Sequence, residues 1–122
     1  MYTVIEGYKE LRGPGAQEYI RSLQLEKGLH ISGSLFGFMQ MTHNGWDNLQ
    51  SMCIAYNAFS IFLHSTKKPA MIYKSGLVCW FFDGNPHREI FPAEIWPSGS
   101  CNYYGHGHLL KLVDPNGTDR TL

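Results

Sequence analysis

Four side chains in this sequence could carry a reaction: the thiol of Cys53 and the imidazoles of His87, His106 and His108. A thiolate activated by a histidine is the nucleophile of thiol hydrolases, because the imidazole removes the thiol proton. Cys53 follows the start of a segment that reads as a buried helix, and a helix N-terminus lowers the pKa of a thiol. It would lie about two turns inside that helix, where the helix dipole is already weak. The sequence contains no P-loop, GxGxxG, GxSxG or HExxH motif.

Two histidine-containing clusters could bind a ligand. His106 and His108 are two residues apart, so an extended strand would place both imidazoles on one face, where a metal ion could bind. No acidic residue or cysteine lies at ligand spacing beside them, so we interpret them as surface histidines and predict no metal ion and no cofactor. Arg88 has a planar guanidinium suited to phosphate or carboxylate, but a structural role between hairpins is the simpler interpretation.

These candidates lie in or near a region that repeats itself. Pro69, Pro92 and Pro115 follow one another at intervals of 23 residues. At this offset Ala70 matches Ala93, Ile72 matches Ile95, Tyr73 matches Trp96, Ser75-Gly76 matches Ser98-Gly99, Trp80-Phe81 matches Tyr103-Tyr104, Gly84 matches Gly107 and Arg88 matches Lys111. A period of this size indicates one supersecondary unit used again, each copy stacking on the one before.

The repeat resembles a known type, the 23-residue repeats related to MORN repeats, which read roughly Trp-Tyr-x-Asp/Asn-Gly-x-x-His-Arg-Glu/Asp-x-x-Pro-Ala. The matching residues are Trp80, Phe81, Asp83, Gly84, His87, Arg88, Glu89, Pro92 and Ala93. The resemblance covers about residues 69–115, and the second copy has lost the Asp-Gly turn and the His-Arg pair. It implies consecutive β-hairpins that serve as a scaffold or an interaction surface, and it does not address catalysis.

The chain before the repeat predicts a strand and helices. Residues 1–8 alternate loosely, which favours a short strand, and the apolar spacing over 16–27 predicts a helix that ends at Gly28. We interpret residues 29–42 as a bent strand or two strands with a bulge, because two glycines interrupt them, and Asn44-Gly45 predicts a tight turn. Residues 47–64 are apolar on every side, which predicts a buried helix. A strand over 53–63 is the alternative, favoured by its aromatic and β-branched residues.

From residue 70 onward the glycine spacing predicts short antiparallel strands joined by hairpin turns. The turn-rich residues 116–122 predict a fraying tail. The predicted fold class is therefore α+β: an antiparallel sheet of short hairpins from the C-terminal half, packed with one or two helices from the N-terminal half. We expect a single domain over residues 1–122, with a strand and helix region over 1–68 and the repeat over 69–115.

Composition restricts the function classes. The chain has 122 residues and 43% hydrophobic residues, enough for one core. Ten basic and ten acidic side chains give a formal net charge of zero, so we expect no nucleic-acid binding at physiological salt. No apolar run is long enough to span a membrane and the first residues lack signal-peptide features, which predicts a cytoplasmic protein without a membrane partner. The three cysteines have no CxxC spacing and are predicted to be free thiols.

The aromatic content favours a binding function. Seven Tyr, seven Phe and three Trp exceed what the interior of a small domain needs, so some should face a partner. The candidate binding residues are Trp80, His87, Arg88, Trp96, Tyr103 and Tyr104. We expect a non-enzymatic protein–protein interaction module, such as a small phage or mobile-element inhibitor that binds a host protein. A hydrolase using Cys53 with His87, His106 or His108 is the alternative.

The end of the repeat also predicts self-association. Two hairpin copies leave an open sheet edge, and Lys111 is the only charged residue between Cys101 and Val113. Unpaired backbone groups on such an edge invite pairing with another chain. We therefore expect a homo-oligomer, most simply a homodimer, formed through this end.

Overall fold

The computed structural model describes residues 3–6, 14–31, 33–41, 46–65 and 67–121. This part of the chain contains two helices, α1 (Pro14–Lys27) and α2 (Gly33–Met41). Its strands are β1 (Thr3–Glu6), β2 (His30–Ile31), β3 (Leu49–Tyr56), β4 (Ser60–Leu63), β5 (Met71–Tyr73), β6 (Val78–Cys79), β7 (Phe81–Phe82), β8 (Asn85–Pro86), β9 (Glu94–Ile95), β10 (Cys101–Gly105), β11 (His108–Val113) and β12 (Asp119–Thr121).

Ten of these strands form one sheet. Nine of them follow the order β12-β11-β10-β9-β6-β5-β3-β4-β2, and the tenth, β1, pairs with β3. All pairs are antiparallel except β2 with β4. Strands β7 and β8 form a separate hairpin. The predicted α+β fold is thus confirmed. Among the described residues, no helix is long and apolar enough to cross a membrane.

The N-terminal strand and the first helix agree with the sequence. β1 pairs with the second half of β3, with Thr3 opposite Tyr56 and Glu6 opposite Cys53. In α1 the residues at helical spacing, Ala16, Ile20 and Leu23, are buried against the sheet. Gly28 ends the helix with a φ of 65°, a left-handed conformation that glycine adopts without a Cβ clash.

The expectation for residues 29–42 is wrong, because most of this segment is helix. Only β2 is a strand, and α2 follows it. Leu35 is fully buried while Phe38 and Met39 pack partly against the core, which is the i, i+3, i+4 spacing of a helix rather than an alternation. Gly37 is exposed and has open space around it, so the helix tolerates it there. The predicted turn at residues 44–45 lies outside the described residues.

The predicted central helix over residues 47–64 is also wrong. The alternative, a strand over 53–63, is right about the strand conformation but wrong about a single strand. The segment forms the hairpin β3–β4, whose turn is held by the Asn57 side chain: its Oδ1 accepts from the N–H groups of Phe59 and Ser60 at 2.8 and 2.9 Å. Residues 52–55 are buried in succession because β3 is a central strand covered on both faces. Such a strand lacks alternation, as a buried helix does.

The C-terminal half consists of the predicted hairpins, with left-handed glycines at each turn; Gly76, Gly84, Gly99 and Gly107 all have φ between 82° and 102°. The tail differs from the prediction. β12 pairs with β11, with Lys111 opposite Thr121 and Val113 opposite Asp119. The strand that we expected to form an open edge is therefore covered.

The buried apolar residues form a cluster that draws on α1, α2, β3, β4 and the first hairpins of the repeat. Ala70, Met71, Cys79 and Phe81 join the repeat to this cluster. The later strands β10 and β11 contribute only half-buried or exposed side chains. The first copy of the repeat is thus anchored in the core, and the second extends away from it.

Candidate binding cleft

Two histidines 23 residues apart make the same backbone contact. Nδ1 of His64 accepts a hydrogen bond from the N–H of Asp83, and Nδ1 of His87 accepts one from the N–H of His106, both at 2.9 Å. Asp83 and His106 have φ values of 50° and 47° and are each followed by a left-handed glycine, so each histidine holds a tight hairpin turn. Sequence reasoning missed His64, although its 23-residue offset from His87 was a usable signal.

Backbone hydrogen bonds recur at the same offset. Gly84 N–H donates to the carbonyl of Leu63 at 2.9 Å, as Gly107 N–H donates to that of Pro86 at 2.8 Å. Ser65 N–H donates to the carbonyl of Phe81 at 3.0 Å, and Arg88 N–H, one repeat later, donates to that of Tyr104 at 3.4 Å. The structural repeat therefore begins at about residue 63, before the first proline of the series. Within each copy so defined, the first residues bond to the hairpin near the end of the same copy.

This framework places the guanidinium of Arg88 over an aromatic ring. Its guanidinium carbon lies 3.7 Å from the centroid of the Trp80 ring and 5.0 Å from that of Phe91. Its Nη1 donates to the carbonyl of Pro92 at 3.2 Å. Partial burial lowers the pKa of Arg88 by desolvation, but a guanidinium stays charged at any physiological pH. The result is a fixed positive charge between two aromatic side chains.

Arg88 lines a cleft of about 350 Å³, whose walls are formed by Ser65, Lys67, Trp80, Phe82, His87, Arg88, Glu89, Phe91 and His106. Two of these side chains, Lys67 and Arg88, are cationic. Within the described residues, neither has a carboxylate at salt-bridge distance. One residue of the wall, Glu89, carries a carboxylate, and its Oε1 lies 3.0 Å from Nε2 of His87.

The rim of the cleft has a strained backbone. Phe91 N–H donates to the carbonyl of Glu89 at 2.7 Å across Ile90, whose φ is 71°. A positive φ at a β-branched residue in this three-residue turn is costly, by about 1–3 kcal/mol. The turn leaves Ile90 87% exposed and Phe91 57% exposed. Such strain is found most often at functional sites.

His87, Glu89 and His106 have potential ligand atoms within 4.8 Å of one another, and the two imidazole rings stack at 4.0 Å. The hydrogen bonds nevertheless argue against a metal ion at His87. Its Nδ1 lone pair is occupied by the His106 N–H, so the proton of the neutral ring lies on Nε2, directed at Glu89. A metal ligand needs a free lone pair. We therefore interpret this cluster as a set of hydrogen bonds that supports the turn at His106.

The structure brings only some of the predicted binding residues together. Trp80, His87 and Arg88 share the cleft. Tyr103 lies beneath Lys111, whose Nζ is 4.3 Å from its ring centroid, and Trp96 lines a separate shallow surface with Leu112 and Val113. Burial, together with the nearby Glu94, raises the pKa of the half-buried Tyr104.

Sequence reasoning did not find the roles of Lys67, Phe82 or Phe91 in the cleft. The candidate hydrolase residues are dispersed: His87 and His106 line the cleft, whereas Cys53 does not, and His108 is exposed at the start of β11. Cys53 lies in a strand and not near a helix N-terminus, so the helix dipole that the hydrolase alternative would have used is not there. Its side chain is 1% exposed and its thiol donates to the carbonyl of Pro69 at 3.6 Å. A substrate cannot reach the thiol without opening the sheet.

No family model, curated protein or solved structure matches this chain. The likeness to MORN-related repeats thus remains a resemblance of sequence.

Proposed function

We propose that this protein is a non-enzymatic module that binds a partner protein through the cleft around Arg88. The observation that carries the proposal is the stacked guanidinium: Arg88 is fixed between Trp80 and Phe91, yet within the described residues its side chain has one hydrogen-bond acceptor, the carbonyl of Pro92. An arginine that is oriented in advance loses little side-chain entropy on binding.

The composition of the cleft supports this function. Tryptophan and arginine dominate the binding energy of protein interfaces, and they act best in pockets with apolar walls. The exposed Ile90 and Phe91 beside the cleft add apolar contact area. Occupying the surface of a host protein in this way would be sufficient for the inhibitor role that we expect from the size of the chain.

The proposal can be tested by affinity capture with two matched variants. Phe91→Ser removes an exposed aromatic side chain from the cleft, and Phe59→Ser removes one, 75% exposed, from the β3–β4 turn. We expect a protein of the native host to be retained by the wild type and by Phe59→Ser but lost from Phe91→Ser. Equal retention by both variants would place recognition elsewhere, and no retained protein at all would contradict a binding module.

The homodimer also stays a proposal, and the structure changes its basis. β11 is not an open edge, since β12 covers it, and β12 carries Asp119 and Arg120. Short charged edge strands discourage pairing with another chain. A dimer would therefore use the apolar rim at Ile90 and Phe91. Light scattering at micromolar concentration tests this, because Phe91→Ser should convert a dimer into a monomer, and a monomeric wild type would refute the dimer.

A further inference from the structure

We propose that the ligand of this cleft is a peptide carboxylate that adjoins an apolar side chain. The inference rests on the proposed binding function and names the chemistry that the cleft recognises. Such a carboxylate is available from an Asp or Glu side chain or from the carboxyl terminus of a partner. The cleft chemistry is the same for both sources.

The free donors of Arg88 point to an anion. A guanidinium has five N–H donors, and in the described part of the chain only Nη1 has an acceptor, the Pro92 carbonyl at 3.2 Å. The guanidinium carbon lies 3.7 Å from the centroid of the Trp80 ring, and the unused donors lie in the plane of the guanidinium. A carboxylate matches that planar fork with two parallel hydrogen bonds. Water would satisfy these donors with no such geometric fit.

The charge of the cleft selects a single negative charge. Lys67 and Arg88 each contribute one positive charge and Glu89 contributes one negative charge, so these three side chains together give the wall a net charge of one positive. A carboxylate neutralises this charge. A phosphate monoester, which carries close to two negative charges, would leave an excess beside Glu89.

The remaining walls select an apolar neighbour for that carboxylate. Phe82 and Phe91 line the cleft together with the edge of Trp80, and Phe82 packs on the His87 ring at 5.9 Å between centroids. The volume of about 350 Å³ is within the range of small-ligand sites and holds one or two residues. A peptide with a carboxylate next to an aliphatic side chain would fill both the polar and the apolar part.

The next copy of the repeat supplies an internal control for this inference. Lys111 occupies the position of Arg88 and lies over Tyr103, the equivalent of Trp80. Its ammonium is paired with the carboxylate of Asp119 at 3.5 Å. One repeat later, the protein thus has a cation that lies over an aromatic ring and forms an ion pair with a carboxylate of the same chain. At Arg88 the corresponding anion must come from outside the described chain.

The inference is tested with three short peptides, followed by NMR of the isotope-labelled full chain. Acetyl-Leu-Glu-Leu-amide carries a side-chain carboxylate, acetyl-Leu-Leu with a free terminus carries a terminal one, and acetyl-Leu-Gln-Leu-amide carries none. We expect at least one of the two acids to shift the side-chain N–H signals of Arg88 and Trp80, with an affinity at least about tenfold above that of the neutral peptide. The relative affinities of the two acids identify the source of the carboxylate.

Variants locate the binding to Arg88. Arg88→Gln should lower the affinity for the acidic peptide at least about tenfold, and Arg88→Lys, which keeps the charge and the packing stem but loses the fork, should lower it several-fold. Lys111→Gln, the matched change in the next copy, should leave it unchanged. Arg88→Lys keeps a positive charge over the Trp80 ring. If Arg88→Gln fails to fold, the affinity of Arg88→Lys for the acidic peptide still tests the inference.

Three outcomes would overturn the inference: equal affinity for the neutral peptide, an unchanged affinity in Arg88→Lys and Arg88→Gln, or tighter binding of inorganic phosphate than of either acid. These outcomes are separable from the failure of the proposed function. Loss of host-protein capture with peptide binding intact would make the cleft a receptor for small acids. Capture that depends on Phe91 without peptide binding would leave a protein-binding cleft with another specificity.

Discussion

The pair Arg88–Trp80 and the pair Lys111–Tyr103 have the same construction at adjacent copies of the repeat, and they differ in what surrounds them. Each cation lies over an aromatic ring, at 3.7 and 4.3 Å from the centroid. Lys111 is neutralised by Asp119 of the last strand, whereas Arg88 faces a cleft. Among the described residues, Lys111 thus has a carboxylate at salt-bridge distance and Arg88 has none, and the proposed binding role of the cleft rests on that difference.

A second contrast between positions one repeat apart concerns burial. His64 and His87 hold equivalent turns, but His64 is 1% exposed and lies within the core, whereas His87 lies at the cleft. The copies become progressively less buried from the helices toward β12. Burial thus distinguishes the turn held by His64, which is enclosed by the core, from the turn held by His87, which adjoins the cleft.

The largest expected difference between inner and outer strands is in thiol reactivity. Burial, reinforced by Glu94, raises the pKa of Cys79 in β6 to about 12. At pH 8 such a thiol is ionised in roughly one molecule in ten thousand. With a disulfide reagent we expect the half-buried Cys101 of β10 to react first and Cys79 to react at least about a hundredfold more slowly. The rate at Cys79 should rise with pH, and comparable rates at both sites would show that the inner strands open readily.

Removing the stacking aromatics should destabilise the two copies unequally. Trp80→Ala should lower the free energy of unfolding by about 3 kcal/mol, because it empties a large aromatic site between the core and the cleft. Tyr103→Ala should cost less, about 1–2 kcal/mol, since β10 has no fully buried side chain. Urea denaturation of both variants measures the difference. Equal losses would mean that the two copies are equally packed.

The turn-holding histidines should give a smaller contrast. His64→Ala leaves the Asp83 N–H without its acceptor and opens a cavity in the core, at a cost of about 2–3 kcal/mol. His87→Ala leaves the His106 N–H accessible to water, which can replace the lost acceptor, so we expect about 1 kcal/mol. Thermal or urea unfolding checks both values. A greater loss for His87→Ala would place the more important turn in the outer copy.

The smallest effect on the free energy of unfolding is expected from a change at Asp119, the partner of Lys111. Asp119→Asn removes a half-exposed partner of Lys111, and surface ion pairs of this kind contribute less than about 1 kcal/mol. The folded state should therefore be nearly unchanged. The informative measurement is peptide binding by NMR: Asp119→Asn should allow the acidic peptide to shift the signals of Tyr103 as well. If no signal near Lys111 shifts, the difference between the copies depends on more than Asp119.

The sequence predicts the C-terminal half well because its information is local. Hairpin turns need left-handed glycines such as Gly76 and Gly99, and these residues can be recognised without knowledge of the rest of the fold. β3 and α2 were misassigned because their patterns depend on which faces are buried. Four consecutive buried residues in a central strand resemble a helix, and a helix that contains Gly33 and Gly37 resembles a broken strand.

The candidate site was predictable only in part for a related reason. The repeat pattern identified Trp80, His87 and Arg88, because all three lie between Pro69 and Pro92, in one copy as counted from the prolines. Lys67 comes from the loop after β4, and its proximity to Arg88 follows from how that loop packs on the next hairpin. His64 was missed because the repeat was counted from its prolines. The hydrogen bonds to Asp83 and His106 show that the unit begins earlier.

Each copy holds its own turn, as His64 binds Asp83 and His87 binds His106, and adjacent copies pair through β6 and β9, which makes the architecture extensible. A unit contributes two strands to the large sheet, β5 and β6 for one copy and β9 and part of β10 for the next, which is roughly 9–10 Å of sheet width. A further unit of 23 residues, inserted between residues 85 and 86, would hold its own turn in the same way and could pair with its neighbours as β6 pairs with β9. Evolution or design could thus lengthen the sheet in fixed steps while leaving the helices and the closing strand β12 unaltered.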